Sequence, residues 1–480
     1  MNLKSILKNI KIELSQGNLD RTISGISENS LEIKKNNLFF AVKGNILDGH
    51  KFIDDAISKG CTVVVCMDFP VELNDDITYI KVKNIRKSIS IISLNFYNNP
   101  SDKIKVITVT GTNGKTSVVY FLYQFFRNMN LKVGMLSTIE NRINDKVLDT
   151  NLTTPSAITI NSLLNDMLLS GCEYCIIEAS SHAIDQDRIY GLIIDIAILT
   201  NVSHDHLDYH KSFLNYLKVK KKLFDGLNKK AFAVINSDDN NSNYLVQNCN
   251  AKIFRYGLKS ISDFKGKIIQ NDILGLSLEL DSKLIDFNII GEFNAYNILA
   301  VYSVLKILNF ENKSMFKTLS KINTPDGRFE IIKGNKNVIG IVDYAHTPDA
   351  LLNVLKTIKK IKKNRKVITV VGAGGERDKT KRPIMGKIAS ELSDFVIITS
   401  DNPRFENEMD IISDIEMGII NDRYKILINR EDAIQYACEY CKNDEIILLA
   451  GKGHEKYQII NDVYHDFNDL QILKNKLIKI

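Results

Sequence analysis

The architecture of this chain can be read from the stretch Ile104-Lys105-Val106-Ile107-Thr108-Val109-Thr110-Gly111-Thr112-Asn113-Gly114-Lys115-Thr116-Ser117. Its first half is rich in β-branched residues and is typical of a buried parallel strand. Its second half is a glycine-rich turn, which an apolar helical segment, Val118–Met129, follows directly. We interpret residues 111–117 as a phosphate-binding turn, called the phosphate loop below.

The phosphate loop has the groups that nucleotide binding requires. Backbone N–H groups of the turn and of the helix N-terminus face the phosphates, Lys115 adds positive charge, and the Thr116 hydroxyl can hold Mg²⁺. The longer form of this motif has glycine at position 109, where this chain has Val109. The sequence therefore predicts the shorter Gly-x-x-Gly-Lys-Thr form and a nucleotide ligand.

Length and composition limit the class of protein. At about 150 residues per domain, 480 residues suggest three domains. A content of 44% hydrophobic and 25% charged residues is ordinary for a globular protein. A net charge of +6 is too dilute to indicate a nucleic-acid partner. Because no apolar run reaches ~18 residues and no export signal is recognised, we expect a cytoplasmic protein without a membrane span.

Strand and helix patterns on both sides of the phosphate loop predict an α/β protein. Residues 1–99 form a small N-terminal α/β domain that ends near the turn Asn98–Ser101. Residues 100–331 form a central P-loop-type ATPase domain with a mainly parallel sheet, because strand-like runs alternate with helical ones. Residues 332–480 form a C-terminal Rossmann-like domain, whose first strand-like run begins at Val338.

Two further segments of the central domain predict a metal site. Glu178 ends a strand that is expected to be buried, where a carboxylate is costly without a cation partner. Three histidines, His204, His206 and His210, lie within seven positions at the end of another strand. Because the carboxyl ends of parallel strands meet at one edge of a sheet, this edge is the predicted site.

Several motifs in order along the chain resemble those of the Mur ligases, the ATP-dependent amino-acid-adding enzymes of peptidoglycan synthesis. The resemblance spans all three predicted domains and is strongest to the ligases that add a diamino acid as the third peptide residue. The matching motifs are Thr110–Thr116, Glu178-Ala179-Ser180-Ser181-His182, Asp205-His206-Leu207-Asp208, Gly291-Glu292-Phe293-Asn294-Ala295-Tyr296-Asn297, Gly327-Arg328-Phe329-Glu330 and Asp343-Tyr344-Ala345-His346-Thr347-Pro348.

The resemblance implies roles for residues that match the family's motifs. It implies two Mg²⁺ ions and a carbamylated lysine, in which CO₂ turns a cation into an anionic oxygen ligand. Of four lysines on one predicted helix, only the spacing from Tyr216 to Phe224 selects Lys220. The implied catalytic residues are Lys115, Glu178, His206 and Lys220. The implied metal ligands are Thr116, Glu178, His206 and carbamylated Lys220. The implied ATP contacts are Gly111, Thr112, Asn113, Gly114, Lys115, Thr116, Ser117, Asn294, Arg328 and Asp343.

The resemblance also implies the sites of the two other substrates. The muramoyl-peptide contacts depart from the family at Asn29-Ser30-Leu31 and at Asn45-Ile46-Leu47, which weakens the match around the uridine. The implied contacts to UDP-N-acetylmuramoyl-dipeptide are Ser30, Thr153, Thr154, Ser180, Gln186 and Arg188. The implied contacts to diaminopimelate are Arg377, Asp401, Asn402, Pro403, Arg404, Gly451 and Glu455.

The implied reaction joins meso-2,6-diaminopimelate to the D-glutamyl γ-carboxylate of UDP-N-acetylmuramoyl-L-alanyl-D-glutamate through an acyl phosphate, with ATP consumed. Arg404 can bind the distal carboxylate of diaminopimelate bidentately, whereas lysine and ornithine have no such carboxylate. Glu455 or His346 takes the proton of the attacking amine. The alternatives are the same reaction with lysine or ornithine, a folylpolyglutamate-synthase-like ligase, and a P-loop switch or motor. We expect a monomer.

Overall fold

The structure is a computed structural model that describes residues 1–44, 47–150, 152–310 and 313–478, without the side chains of residues 207 and 208. Asn45 and Ile46, part of the departure from the family pattern near the uridine contacts, lie outside the described residues. In the described part of the chain, no helix is long and apolar enough to cross a lipid bilayer.

The N-terminal domain is built on a sheet in which the described residues form five strands. The strand order is β1-β5-β4-β3-β2, and only β1 runs antiparallel to its neighbour. Nearly all residues of the central strands are buried, as expected of a parallel sheet that is covered by helices on both faces. Its elements are α1 (Leu3–Ile6), β1 (Ile12–Gln16), β2 (Gly25–Ser27), β3 (Asn37–Phe40), α2 (Ile53–Ser58), β4 (Cys61–Cys66), β5 (Thr78–Val82) and α3 (Ile85–Phe96).

The central domain contains a sheet in which the described residues form eleven strands. Their order is β16-β15-β14-β13-β12-β11-β6-β10-β7-β8-β9, with a parallel centre from β7 to β14 and antiparallel strands at both edges. The strands are β6 (Lys105–Thr110), β7 (Val133–Leu136), β8 (Asn141–Ile143), β9 (Lys146–Leu148), β10 (Tyr174–Glu178), β11 (Ile196–Leu199), β12 (Phe232–Asn236), β13 (Lys252–Gly257), β14 (Phe264–Asp272), β15 (Gly275–Leu280) and β16 (Lys283–Phe287).

Helices cover both faces of this sheet and bury its central strands. Helices α4 and α10 pack on one face with Ile107 and Val109 of β6, and the opposite face packs against α5 and α8. The helices are α4 (Lys115–Asn128), α5 (Ala157–Leu169), α6 (Ser181–Asp185), α7 (Leu207–His210), α8 (Phe213–Asp225), α9 (Ser242–Leu245), α10 (Glu292–Ile307) and α11 (Lys313–Leu319).

The C-terminal domain has a sheet for which the described residues supply six strands. Its order is β17-β18-β22-β19-β20-β21, parallel except for β17, and a separate hairpin follows it. Strand β17 spans the predicted boundary between residues 331 and 332. The elements are β17 (Glu330–Lys333), β18 (Ile339–Asp343), α12 (Pro348–Ile361), β19 (Val367–Val371), α13 (Lys381–Leu392), β20 (Phe395–Ile398), α14 (Glu408–Glu416), β21 (Tyr424–Ile426), α15 (Arg430–Tyr440), β22 (Ile446–Ala450), β23 (Tyr457–Ile460), β24 (Val463–Asp466) and α16 (Asp469–Leu477).

These three sheets confirm the predicted fold class, an α/β chain with a large and mainly parallel central sheet. Strands β6, β10 and β11 are adjacent in that sheet, so the segments after them meet at one edge. This edge brings together the phosphate loop, Glu178 and the histidine-rich segment, as the sequence predicts.

Candidate active site

The phosphate loop joins β6 to α4 through two glycines with positive φ. A Cβ on Gly111, where φ is +150°, would lie 1.9 Å from the Thr200 hydroxyl. Gly114, where φ is +86°, precedes the first turn of α4 and has no side chain with which to cap that turn. The N–H groups of the first turn are therefore open to an anion. Lys115 folds over the loop and donates to the carbonyls of Gly111 and Thr112 at 3.1 and 2.8 Å, and burial lowers its pKa.

Glu178 ends β10 and is completely buried. Its Oε1 accepts hydrogen bonds from Ser137 Oγ at 2.5 Å and from Thr138 N at 2.9 Å. Its Oε2 accepts from the hydroxyls of Thr138 and Thr116, each at 3.1 Å. These donors orient the buried Glu178 carboxylate toward the start of α4. Thr116, another predicted metal ligand, lies in the first turn of that helix.

Lys220 lies on α8 with no solvent exposure. Its Nζ donates to the Gly111 carbonyl at 2.8 Å and to Thr110 Oγ1 at 3.4 Å, and it sits 4.6 Å from the ring centre of Tyr216. Burial and the charge of Lys115 hold the pKa of Lys220 well below its usual value. A lysine whose surroundings favour the neutral amine therefore lies directly beneath the phosphate loop.

The histidines of the histidine-rich segment lie in two different environments. The His206 ring lies 4.9 Å from that of His182, its Nε2 is 3.4 Å from Asp205 Oδ2, and burial lowers its pKa to about 4. His210 is buried and its Nε2 hydrogen-bonds with Ser181 Oγ at 3.0 Å. His204 instead stacks on Phe213 at 4.5 Å. The three histidines that sequence spacing grouped together therefore do not form one cluster.

Arg328, two residues before β17, and Asp349 of the C-terminal domain both contact the phosphate loop. The Arg328 guanidinium donates to Thr116 Oγ1 at 3.3 Å and lies 4.5 Å from the ring centre of Tyr344. Asp349, at the start of α12, accepts from Asn113 Nδ2 and from Ser203 Oγ, both at 2.8 Å. Asp349 was not predicted, because its partner Asn113 is 236 residues away in the chain.

The two other predicted ATP contacts, the buried Asn294 and the half-buried Asp343, also lie near this junction. Asn294, in the first turn of α10, donates to the Ile290 carbonyl at 2.8 Å. Asp343 ends β18 and accepts from Phe329 N at 2.7 Å, and burial raises its pKa to about 6. A nucleotide on the phosphate loop would therefore lie between the central and C-terminal domains.

Most of the residues predicted to bind the muramoyl-dipeptide form a connected group after β10. Thr154 Oγ1 donates to the Glu178 carbonyl and accepts from the backbone N–H of Ser180. Arg188 donates to the Thr154 carbonyl at 2.6 Å and, from NH2, to Gln186 Oε1 at 2.7 Å. Two predicted contacts stand apart from these bonds, namely Thr153, which is half-buried, and Ser30, which is buried in the N-terminal domain.

The residues predicted to bind diaminopimelate come from three loops of the C-terminal domain. Arg404 has a φ of +53°, and its NH1 donates to the Gly375 carbonyl at 2.8 Å. Asn402 Nδ2 donates to Glu455 Oε2 at 2.8 Å. A Cβ on Gly451 would lie 3.0 Å from Asp401 Oδ2. The remaining two are Pro403, which is buried, and Arg377, which is exposed. The Pro403 carbonyl leaves no room for a Cβ on Gly375.

Two buried cations at these loops were missed in the sequence. Lys452 contacts the side chains of Asn402, Asp401 and Glu455 and has no solvent exposure. Arg382 is equally buried; it pairs with Glu406 at 3.0 Å and with Asp414 at 2.8 Å, and it donates to the Gly374 carbonyl. The glycines flanking Lys452 were a signal of tight backbone packing, whereas nothing near Arg382 in the sequence distinguishes it from a surface residue.

Comparison with protein-family models matches three of them along the chain. They are described as "Mur ligase family, catalytic domain" over residues 22–97, "Mur ligase middle domain" over 109–305 and "Mur ligase, glutamate ligase domain" over 327–453. Together these matches cover most of the sequence and include strands of all three sheets.

Full-length relatives and a solved structure agree with the family models. The UDP-N-acetylmuramoyl-L-alanyl-D-glutamate–2,6-diaminopimelate ligase of Cytophaga hutchinsonii is 46% identical over 481 residues, and that of Bacteroides fragilis is 45% identical over 478. Each alignment covers 99% of both chains. A solved structure of a ligase with the same name has a TM-score of 0.70 at 28% identity, covering 99% of this chain and 98% of that one. This chain belongs to the Mur ligase family.

Proposed function

We propose that this chain ligates meso-2,6-diaminopimelate to the D-glutamyl γ-carboxylate of UDP-N-acetylmuramoyl-L-alanyl-D-glutamate, with ATP as the energy source. The observation that carries the proposal is the loop Asp401–Arg404, whose guanidinium lies beside the glycine-rich turn Gly374–Gly375. A guanidinium suits the distal carboxylate of diaminopimelate, which lysine and ornithine lack. The names of the full-length relatives support the same substrate.

The proposed reaction has two steps. A γ-carboxylate oxygen of the acceptor attacks the γ-phosphorus of ATP, which releases ADP and gives an acyl phosphate. Lys115 and the N–H groups of the phosphate loop stabilise the charge that develops on the phosphate oxygens. The neutral amine at the L-centre of diaminopimelate then attacks the acyl carbon, so that phosphate leaves and an amide remains.

Two groups of this chain suit the removal of the amine proton. Burial and Asp401 raise the pKa of Glu455, so its carboxylate is a stronger base than usual. Desolvation by the surrounding protein and the charge of Lys381 lower the pKa of His346, which favours a neutral imidazole that is able to accept a proton. Asp349 ties the C-terminal domain to the phosphate loop, an arrangement that supports exclusion of water from the acyl phosphate.

The proposed ligands of two Mg²⁺ ions at the sheet edge are Thr116, Glu178, His206 and carbamylated Lys220. Hydroxyl and carboxylate oxygens are donors that Mg²⁺ accepts, and Thr116 and Glu178 are already in contact. Among the described residues, no group of three or more His, Cys, Asp and Glu side chains could hold an ion. In this proposal, a carbamate on Lys220 would supply a further anionic oxygen. Bound Mg²⁺ neutralises phosphate oxygens during phosphoryl transfer.

Lys220 has the environment that carbamylation requires. Burial and the charge of Lys115 lower the pKa of Lys220, which favours the neutral and nucleophilic amine; its Nζ can then attack CO₂, form an N–C bond and release one proton. The product carries one negative charge where the neutral amine carried none. Its remaining N–H can still donate to the Gly111 carbonyl, which now lies 2.8 Å from Nζ.

Phosphate release tests the proposed reaction. Purified protein with ATP and Mg²⁺ is expected to release phosphate only when both the UDP-muramoyl-dipeptide and diaminopimelate are present. Mass spectrometry of a reaction containing diaminopimelate, lysine and ornithine together should show the diaminopimelate product. Release without the acceptor would indicate a P-loop switch or motor instead. A dominant lysine or ornithine product would refute the specificity, and activity with a folate acceptor alone would indicate a folylpolyglutamate-synthase-like ligase.

The proposal extends to the partners, the cellular location and the oligomeric state of the enzyme. The dilute net charge of +6 supports small-molecule substrates rather than nucleic acid as partners. We propose that the enzyme acts in the cytoplasm, where ATP and the nucleotide precursor are available, and that it acts as a monomer. Light scattering of the purified protein at assay concentration tests the oligomeric state.

Replacing Arg404 with lysine is expected to raise the KM for diaminopimelate roughly tenfold or more and to leave the KM for ATP within about twofold. Lysine keeps the charge but cannot form the two parallel hydrogen bonds of a guanidinium with a carboxylate. Steady-state phosphate release measures both constants. Arg423→Lys, at an exposed position of the same domain, is the matched control. Equal changes in both KM values would mean that Arg404 does not bind the distal carboxylate.

A further inference from the structure

Lys452 is a buried cation that has no assigned role in the proposed reaction. It follows β22 and has no solvent exposure, although an unpaired ammonium in such a place would be strongly destabilising. Its glycine neighbours fit this confined position. Both have positive φ, and a Cβ on Gly451 or Gly453 would come within 3.0 Å of Asp401 Oδ2 or 2.6 Å of Tyr344 Cβ, respectively.

The Lys452 ammonium lies among four oxygen atoms. Its Nζ is 2.9 Å from Asn402 Oδ1 and 2.8 Å from the Tyr457 carbonyl, to both of which it donates hydrogen bonds. It is also 3.3 Å from Asp401 Oδ1 and 3.6 Å from Glu455 Oε2. Three of these four oxygens belong to side chains that the family resemblance assigns to the amino-acid substrate.

Lys452 determines which way the Asn402 amide faces. Asn402 Oδ1 accepts from Lys452 Nζ and from Ile459 N at 3.0 Å, so the amide oxygen points at two donors. The amide nitrogen consequently points at Glu455 and donates to it at 2.8 Å. A flipped amide would place its NH₂ group against an ammonium and an N–H group, which is unfavourable.

Lys452 also separates two carboxylates that share a buried region. Although burial opposes ionisation, Lys452 and Arg430 hold the pKa of Asp401 below its usual value. Burial and the charge of Asp401 in turn raise the pKa of Glu455. Without the ammonium, the two carboxylates would lose their shared counter-charge and the region would no longer be held in one arrangement.

We propose that Lys452 is the positioning residue of the amino-acid site, holding Asn402 and Glu455 in the orientation that receives the amino group of the incoming diamino acid. This inference rests on the proposed function. Arg404 reads the distal carboxylate, whereas Lys452 acts through its neighbours on the reacting end of the same substrate. Lys452 itself is screened from the substrate by the side chains that it holds.

Substitution of Lys452 tests this role by steady-state kinetics of the full-length protein. Lys452→Met removes the charge and the donors, and it is expected to raise the KM for diaminopimelate roughly tenfold or more, with the KM values for ATP and for the acceptor within about twofold. Lys452→Gln keeps two N–H donors without the charge and should give a smaller increase. Lys456→Met, exposed in the same loop, should change none of the constants.

Each outcome separates this inference from the proposed function. Folded variants with an unchanged KM for diaminopimelate, or with all three KM values raised together, would overturn it. Failure of both variants to unfold cooperatively would also overturn it, since Lys452 would then serve the fold alone. Wild-type protein that rejects diaminopimelate would refute the proposed function, and the same comparison would then use the diamino acid that the wild type accepts.

Discussion

Lys220→Ala is expected to lower the rate of ligation at saturating substrates by on the order of 10²-fold or more. The side chain that is removed is the proposed carbamate, which would supply an anionic ligand close to the transferred phosphoryl group. It is also one of two lysine donors to the Gly111 carbonyl, so the phosphate loop would lose a buried support. Phosphate release with ATP, diaminopimelate and the muramoyl-dipeptide measures the loss.

A neighbour on the same helix provides the control for this prediction. Lys218→Ala removes an exposed lysine from α8 and should leave the rate within about twofold. Added bicarbonate should not restore Lys220→Ala, because the variant has no amine to carbamylate. After incubation with ¹³C-labelled bicarbonate, wild type should show a carbamate carbon signal by NMR that Lys220→Ala lacks. Near-wild-type activity of the variant, or the same signal from it, would contradict the carbamate assignment.

The selection of Lys220 illustrates what a sequence can predict. Four lysines lie within five positions of α8, and only the spacing of the flanking aromatic residues favoured one of them. The structure separates them physically, because Lys220 is fully buried, Lys221 pairs with Asp225 at 2.5 Å, and Lys218 and Lys222 are exposed. The phosphate loop and Glu178 were equally readable, since each follows directly on a continuous apolar strand.

Features that depend on distant parts of the chain were not readable in the same way. Strand β14, which lies between β13 and β15 in the central sheet, is largely exposed and lacks the apolar run that marks β6. Asp349 and Arg382 become functional candidates only through tertiary contacts with the phosphate loop and with Glu406. His204 shows the reverse, because close spacing in sequence suggested a ligand where the fold gives a ring stacked on Phe213.

Asp469→Ala is expected to lower the free energy of unfolding of the C-terminal domain by about 3–5 kcal/mol, since it leaves the Arg430 guanidinium buried without its counter-charge. The two side chains have no solvent exposure and form a bidentate pair, with Nε–Oδ1 and NH2–Oδ2 distances of 2.8 and 2.7 Å. Although burial opposes it, Asp469 raises the pKa of Arg430 above its usual value. Thermal unfolding should show a midpoint lower by roughly 6–20 °C.

Two further variants decide whether the loss comes from the buried charge. Glu431→Ala removes an exposed carboxylate 3.7 Å from Lys476 on the same pair of helices and should change stability by less than about 0.5 kcal/mol. The double variant Arg430→Met/Asp469→Leu should recover most of the stability, because it removes both charges and fills the space with apolar groups. A loss below about 1 kcal/mol in Asp469→Ala would mean that water reaches the guanidinium. Since Arg430 also donates to the Ala450 carbonyl at 3.1 Å, one residue before Gly451, a destabilised Arg430 should raise the KM for diaminopimelate as well.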